Sequence, residues 1–326
     1  MKSKFGTLAN NNAPTPAPLS AAAPNTVHLM IDIQIGCIAG LSPEGAQRYL
    51  DHQARMIQEL RDNNIPTLWV TITDDNKLVP RKENWSTAPA EPRSAEDCKD
   101  MEFFRTEGMA DAAKAERINS IFAAFIEKSG PKADEDMFRK RFLDAFVDSA
   151  CLKENPALYA HLLTHRRDET VADIQKAAAG ASLADHLKKL GIEHVVISGM
   201  EADVCPVETA LGAVRSGFTA SILADGLASM KDPDFKRTAE EQRKLIKDTL
   251  EKITDRPGEL VSDPTKNALA GGDILKEQHV SAIRHIDVTT SQALIANRSA
   301  PAAAPTENKP AAPAQTTAAP AKAAQP

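Results

Sequence analysis

The chain has 326 residues, 42% hydrophobic but only 4% aromatic, with 39 Lys and Arg against 45 Asp and Glu for a formal net charge of −6. That supports a mainly aliphatic core in one large domain or two ordinary ones, and the mild, dispersed charge argues against a nucleic-acid-binding surface. No apolar run approaches the ~20 residues of a membrane span, and the segment after Lys2 and Lys4 lacks the apolar stretch of an export signal, so the reading is of a cytoplasmic protein that does not engage a membrane.

Residues 1–25 and 297–326 are low-complexity; the C-terminal stretch is mainly Ala and Pro, with no large aliphatic residue after Ile295. Such segments cannot bury enough surface to offset their ordering entropy and read as disordered tails flanking one folded domain over 26–296. Within it, the apolar run 27–34 predicts a buried strand carrying Asp32 at its C-terminal end. Ser42-Pro43 opens a helix whose apolar face is Ala46, Tyr49, Leu50, Ala54, Ile57 and Leu60, and Asn63-Asn64 closes it. A second strand follows over 66–72, so the pair predicts a right-handed βαβ unit in a parallel sheet. Residues 74–136 read as an insertion, polar and Pro-containing over 74–100 and helical over 109–128. A lid over the sheet edge, a surface decoration and a subunit interface all fit it. A strand running into a loop is expected over 137–146. Further insertions are read near 153–180 and 253–272, the first holding a short helix over 156–165.

Ser182 with Leu183, Leu187, Leu190 and Gly191 marks a capped helix leading into the β-branched run Val195-Val196-Ile197-Ser198. Gly199 ends that run, the chain turns through 200–204, and Cys205 precedes Pro206. Because Pro favours the first helical position, Cys205 reads as the N-cap of a helix that Gly217 stops. A strand over 218–223, a charged helix over 234–252, an irregular loop over 254–272, a helix over 274–283 and a last strand over 286–289 complete the pattern. Five or six strands alternating with helices predict a three-layer αβα sandwich around a mainly parallel sheet.

The four cysteines, Cys37, Cys98, Cys151 and Cys205, show no C-x-x-C pair and no metal-ligand spacing, and read as reduced thiols. Cys205 stands apart: at a helix N-terminus just past a strand's C-terminal end, dipole and free N–H groups favour a thiolate and an oxyanion. The plain alternative is a small buried hydrophobe. A Cys nucleophile needs a base for its proton and a cation beside its sulfur, and Asp32 and Lys140 supply those types. Taken singly, Asp32 also fits a turn-capping carboxylate, and Lys140, between Arg139 and Arg141, fits one charge of a solvated basic cluster.

Three pieces occur in order: Met30-Ile31-Asp32-Ile33-Gln34, a strand ending in D-x-Q; Lys140-Arg141-Phe142-Leu143-Asp144-Ala145-Phe146; and Gly199-Met200-Glu201-Ala202-Asp203-Val204-Cys205 with Thr209-Ala210 following. Together they resemble the isochorismatase-like cysteine hydrolases, over roughly 26–230 and more weakly over the last helix and strand. The resemblance implies a triad: Asp32 as general base, Lys140 as the cation bridging the pair, Cys205 as nucleophile. It also implies an oxyanion hole from the backbone N–H groups of Glu201 and Cys205, and a cis peptide at Met200–Glu201. The implied chemistry is hydrolysis of a C–N bond in a small amide or carbamoyl substrate through a thioester, with no cofactor. Nicotinamidases of this family carry a D-x-H metal motif after the second strand. Here that position reads Thr71-Ile72-Thr73-Asp74-Asp75, and the i, i+4 pair His161 and His165 reads as a surface helix pair, so no metal is expected. Vinyl-ether hydrolysis of the isochorismatase type, a catalytically silent interaction protein, and a homo-oligomer on the same fold stay open at this point.

Overall fold

The computed structural model describes residues 25–72, 76–79, 112–132, 135–154, 158, 162, 170–255 and 282–299. The low-complexity ends, most of the 74–111 and 256–281 stretches, and the helices expected over 156–165 and 274–283 lie wholly or mostly outside these residues. The strands are β1 (Thr26–Ile31), β2 (Thr67–Ile72), β3 (Lys77–Val79), β4 (Met137–Lys140), β5 (His194–Gly199), β6 (Thr219–Leu227) and β7 (Ile286–Thr289). The helices are α1 (Ile35–Ile38), α2 (Pro43–Asp62), α3 (Ala112–Ser129), α4 (Ser149–Glu154), α5 (Val171–Ala178), α6 (Leu183–Lys189), α7 (Cys205–Arg215), α8 (Ala239–Asp255) and α9 (Ser291–Ser299).

The sheet runs β3-β4-β2-β1-β5-β6-β7. Every pairing is parallel except β3 against β4. β1 lies in the middle because both of its faces are buried. Val27, Leu29 and Ile31 join a core with α6, α7 and α8, while Met30 joins Trp69 and the apolar faces of α2 and α3. The result is the three-layer αβα sandwich that alternating apolar strands and amphipathic helices dictate. From β1 the chain winds outward through β2 and β4, then returns to β5 on the other side of β1. The reversal falls between β1 and β5, and the C-terminal edge at such a switch point is where open α/β sheets bind ligands.

Several boundaries differ from the sequence reading. Asp32 follows β1 rather than ending it. The sheet has seven strands among the described residues, not five or six, because β3 pairs with the outer edge of β4. Lys77-Leu78-Val79 is too short to show a period and is a strand only because that edge offers it partners. Helix α5 carries a capping box from Thr170 and Asp173 inside the 153–180 insertion, a local signal that the sequence reading passed over. Helix α8 begins at Ala239, later than expected, and α9 runs past the 296 boundary drawn from composition.

One ion pair and two buried imidazoles fix the sheet's interior. Arg61 of α2 meets Glu135, just before β4, through two nitrogens at 2.7 and 2.6 Å, and Trp69 Nε1 donates to the same carboxylate at 3.1 Å. His28, fully buried on β1, holds Nε2 2.7 Å from the Ser198 hydroxyl and Nδ1 3.2 Å from that of Thr67. Burial, assisted by the charge of Arg61, lowers its pKa to about 3 from 6.5, so the folded protein keeps it neutral. Burial also lowers His194 on β5 to about 4. The unfolded chain protonates both below ~6.5 while the folded chain does not, so their stabilisation is complete above that pH and is lost as pH falls toward the folded values. The expected result is a urea midpoint that drops steadily from pH 6.5 to 4, with each histidine contributing about 1.4 kcal/mol per pH unit. The His28→Gln protein should show a shallower pH slope; an unchanged slope would contradict this assignment.

Candidate active site

Asp32 takes a left-handed backbone, φ 55°, which Asp tolerates better than most residues. Its amide donates to Val70 O at 2.7 Å, and its carbonyl accepts from the Gln34 amide at 2.9 Å. Gln34 then reaches across to β2, accepting from the Ile72 amide at 2.9 Å and donating to the Ile72 carbonyl at 3.4 Å. The glutamine of D-x-Q thus clamps the turn that turns the Asp32 carboxylate inward, where it is 1% exposed.

Lys140 ends β4 in register with Ile72, so its side chain must cross the end of β2 to reach β1. It is fully buried, with Nζ 2.9 Å from Asp32 Oδ2 and donating to Leu143 O at 2.8 Å. The turn that follows is held by groups that sequence reasoning left without a role. Asn76 accepts from the Arg141 amide at 2.8 Å and donates to Val147 O at 2.7 Å. Buried Asp144 accepts from the Phe146 amide at 2.8 Å and from the Arg215 guanidinium of α7. Gly212 makes that docking close: a Cβ there would lie 2.0 Å from Asp144 Oδ1. The D-A-F part of the second motif therefore fastens the Lys140 turn onto α7.

Cys205 is the first residue of α7, and Val204 is the N-cap, with φ −127° and ψ −92° and no side-chain cap. This corrects the N-cap reading of Cys205: Pro206 occupies the second helical position, which suits its missing N–H as well as the first. Gly199 enters the preceding turn at φ 130°, and a Cβ there would lie 2.0 Å from Ile31 O. The Met200 amide donates to that carbonyl at 3.0 Å, and the Met200–Glu201 peptide is cis. The Ala202 amide donates to Ala228 O at 2.9 Å, and Glu201 Oε2 accepts from the Met230 amide at 2.8 Å. Among the described residues, the amides of Glu201 and Cys205 donate to no other group.

The Cys205 thiol is 6% exposed and within hydrogen-bonding reach of both Asp32 and Lys140. Burial raises its pKa far above the ordinary thiol range; Lys140 opposes this and Asp32 adds to it. The sequence reading of a thiolate favoured at the helix N-terminus is therefore corrected for the resting protein. Asp32 neutralises the ammonium that would hold a thiolate, and little water reaches the sulfur. Burial likewise raises Asp32, against Lys140, the Cys205 thiol and the Ile72 amide. For Lys140, burial pulls down, but Asp32 and Cys205 together outweigh it, and it stays charged. Asp32 Oδ1 accepts no hydrogen bond of ordinary geometry, leaving an open acceptor beside the thiol. Cys37 is buried next to this group: burial, then the charges of Asp32 and Cys205, raise its pKa, an adjacency with no sequence signal.

A sequence model of the isochorismatase domain matches residues 26–153 and 105–251, more than half of the chain. The chain belongs to the isochorismatase-like hydrolase family. Solved structures similar to this hydrolase include a cysteine hydrolase from Pseudomonas syringae pv. phaseolicola 1448A, 16% identical, covering 87% of this chain and 98% of that one at a TM-score of 0.40. N-carbamoylsarcosine amidase from Thermoplasma acidophilum is 14% identical, covering 82% and 96% at 0.37. Pyrazinamidase/nicotinamidase from Streptococcus mutans UA159 is 15% identical, covering 72% and 97% at 0.37. No curated protein sequence matches the chain.

In this isochorismatase-like hydrolase, no group of His, Cys, Asp or Glu among the described residues is arranged to hold a metal ion, and His161 and His165 both lie outside those residues. No helix among those residues is long and apolar enough to cross a membrane. The buried Asp32–Lys140 pair makes a stability prediction. Removing one partner leaves an uncompensated buried charge, so Lys140→Met should cost about 3–5 kcal/mol in urea unfolding, while adding Asp32→Asn should recover most of it. A single variant as stable as the parent would show that the two charges are not coupled.

Proposed function

We propose that this protein is a cysteine-dependent hydrolase that cleaves a C–N bond of a small amide or carbamoyl substrate. One observation carries the reading: a carboxylate and an ammonium, 2.9 Å apart and withdrawn from water, lie against a thiol at the start of a helix. Burying such a pair costs several kcal/mol and returns little stability. The chemistry that uses all three groups is acyl transfer.

As substrate enters, the Cys205 proton passes to Asp32, whose raised pKa makes it a stronger base than an exposed carboxylate. The sulfur bonds to the acyl carbon, and the C=O electron pair moves onto oxygen. The amides of Glu201 and Cys205, left without other acceptors, hold that oxygen. Collapse breaks the C–N bond, and the leaving amine takes the proton from Asp32. Water then attacks the thioester, gives a proton to Asp32 and releases the acid; the proton returns to sulfur. Lys140 stays charged throughout, balancing Asp32 and lowering the cost of negative charge on sulfur. Nothing in vinyl-ether hydrolysis requires a sulfur nucleophile, which favours the amide reading.

The test is an ammonia-release screen over primary amides, carbamoyl compounds and ureides. Cys205→Ala should lower the active rate by at least about a thousandfold while leaving the unfolding midpoint near that of the parent. Ammonia release surviving in that variant would sink the nucleophile assignment. Because the ionised form of Asp32 is the base and its pKa is raised, kcat/KM should fall on the acid side with a midpoint above the ordinary ~3.9 of an aspartate.

A further inference from the structure

The turn between β5 and α7 is tied to the stretch that follows β6, residues 228–231. Two of the ties are main-chain bonds: the Ala228 amide donates to Gly199 O at 3.1 Å, and the Ala202 amide to Ala228 O at 2.9 Å. A third joins Lys231 Nζ to Asp203 Oδ2 at 2.7 Å, but that lysine side chain is 67% exposed, and an ion pair so open to water adds little. The remaining tie is the Met230 amide donating to Glu201 Oε2 at 2.8 Å.

This last bond involves the residue whose own N–H is a proposed oxyanion donor. A carboxylate there brings negative charge near the place where negative charge must develop, so it helps only if it is turned away and held by donors. Both conditions are met. Oε2 takes the Met230 amide, the Ser229 hydroxyl is within reach of the same carboxyl, and Oε1 is sealed from solvent without a partner among the described residues. The Glu201 carbonyl accepts from the Val204 amide at 2.9 Å, and the preceding Met200 amide donates to Ile31 O at 3.0 Å. The peptide unit carrying the Glu201 N–H is thus held on both sides. Met230 is itself seated: a Cβ on Gly40 would lie 2.5 Å from its Cγ and Sδ, so its side chain packs against the chain just past α1. Since α1 follows the Asp32 turn, one side chain couples the donor side of the site to the side that carries the base.

We propose that Glu201 is a positioning residue for the oxyanion hole: by accepting from the Met230 amide, its side chain keeps the Glu201 N–H aimed at the substrate's carbonyl oxygen. The inference rests on the reaction proposed above. An oxyanion donor accelerates the reaction only while it is preorganised, so loosening this anchor lowers the rate without removing the donor.

Two thiol reagents separate this role from a structural one. With p-nitrophenyl acetate, the Cys205 S–C bond forms, the C=O electron pair passes through oxygen, the ester C–O bond breaks to release p-nitrophenolate, and the thiol proton goes to Asp32. Iodoacetamide alkylates the same sulfur by displacing iodide and develops no charge on a carbonyl oxygen. Glu201→Ala should slow nitrophenolate release by at least about tenfold, short of the ~10²–10³ of losing a donor outright, and leave Cys205 alkylation within about twofold of the parent. Glu201→Gln, which keeps an acceptor oxygen for the Met230 amide, should recover most of the lost rate. Equal slowing of both reactions, release unchanged in Glu201→Ala, or no recovery in Glu201→Gln would overturn the positioning role alone. Release absent from the parent, or persisting in Cys205→Ala, would remove the nucleophile assignment and this inference with it.

Discussion

The ion pair between Lys140 and Asp32 is the constraint around which the rest of the site is arranged. Two opposite charges at 2.9 Å with almost no solvent access persist only if their surroundings hold both in place. Each comes from the end of a different strand, and β2 lies between those strands. The pair therefore spans three strands at the sheet's C-terminal edge, and any slip in β1–β2 or β2–β4 register would separate the charges.

The supporting contacts follow from that demand. Gln34 ties the Asp32 turn to Ile72, the residue that pairs with Lys140, so one side chain couples both halves of the ion pair to the same rung of the sheet. Asp144 and Arg215 lock the Lys140 turn to the helix that starts with Cys205. Gly199 lets the turn after β5 approach Ile31 closely enough to place Cys205 beside the end of β1. Carboxylate, ammonium and thiol are thus positioned by hydrogen bonds from secondary-structure ends rather than by long flexible loops, the arrangement that fixed geometry requires.

The shared burial also changes the chemistry. A thiol at a helix N-terminus next to a lysine suggests a resting thiolate, but here the lysine charge is already balanced and burial keeps the proton on sulfur. Raising both Asp32 and Cys205 makes proton transfer between them an exchange inside one low-dielectric site, with no net charge brought in from water. In the proposed reaction this keeps the nucleophile masked until an acyl group is in place.

The amino-acid sequence by itself determined the layer architecture, because alternation of apolar runs with amphipathic, capped helices leaves few other ways to bury both faces of a parallel sheet. It also singled out Asp32, Lys140 and Cys205 as candidates, through three motifs occurring in order that together resemble a known family, since each residue taken singly also fits a plainer role. The short edge strand β3 and the roles of Asn76, Gln34, Arg215 and the Glu201 side chain were decided only by tertiary structure. Each of these rests on a partner far away in the chain, and neither periodicity nor spacing records which distant groups will meet. The protonation state of Cys205 belongs with them: the helix end was readable from Pro206 and the apolar spacing, but the depth of burial and the balanced charge beside it exist only once three strands are side by side.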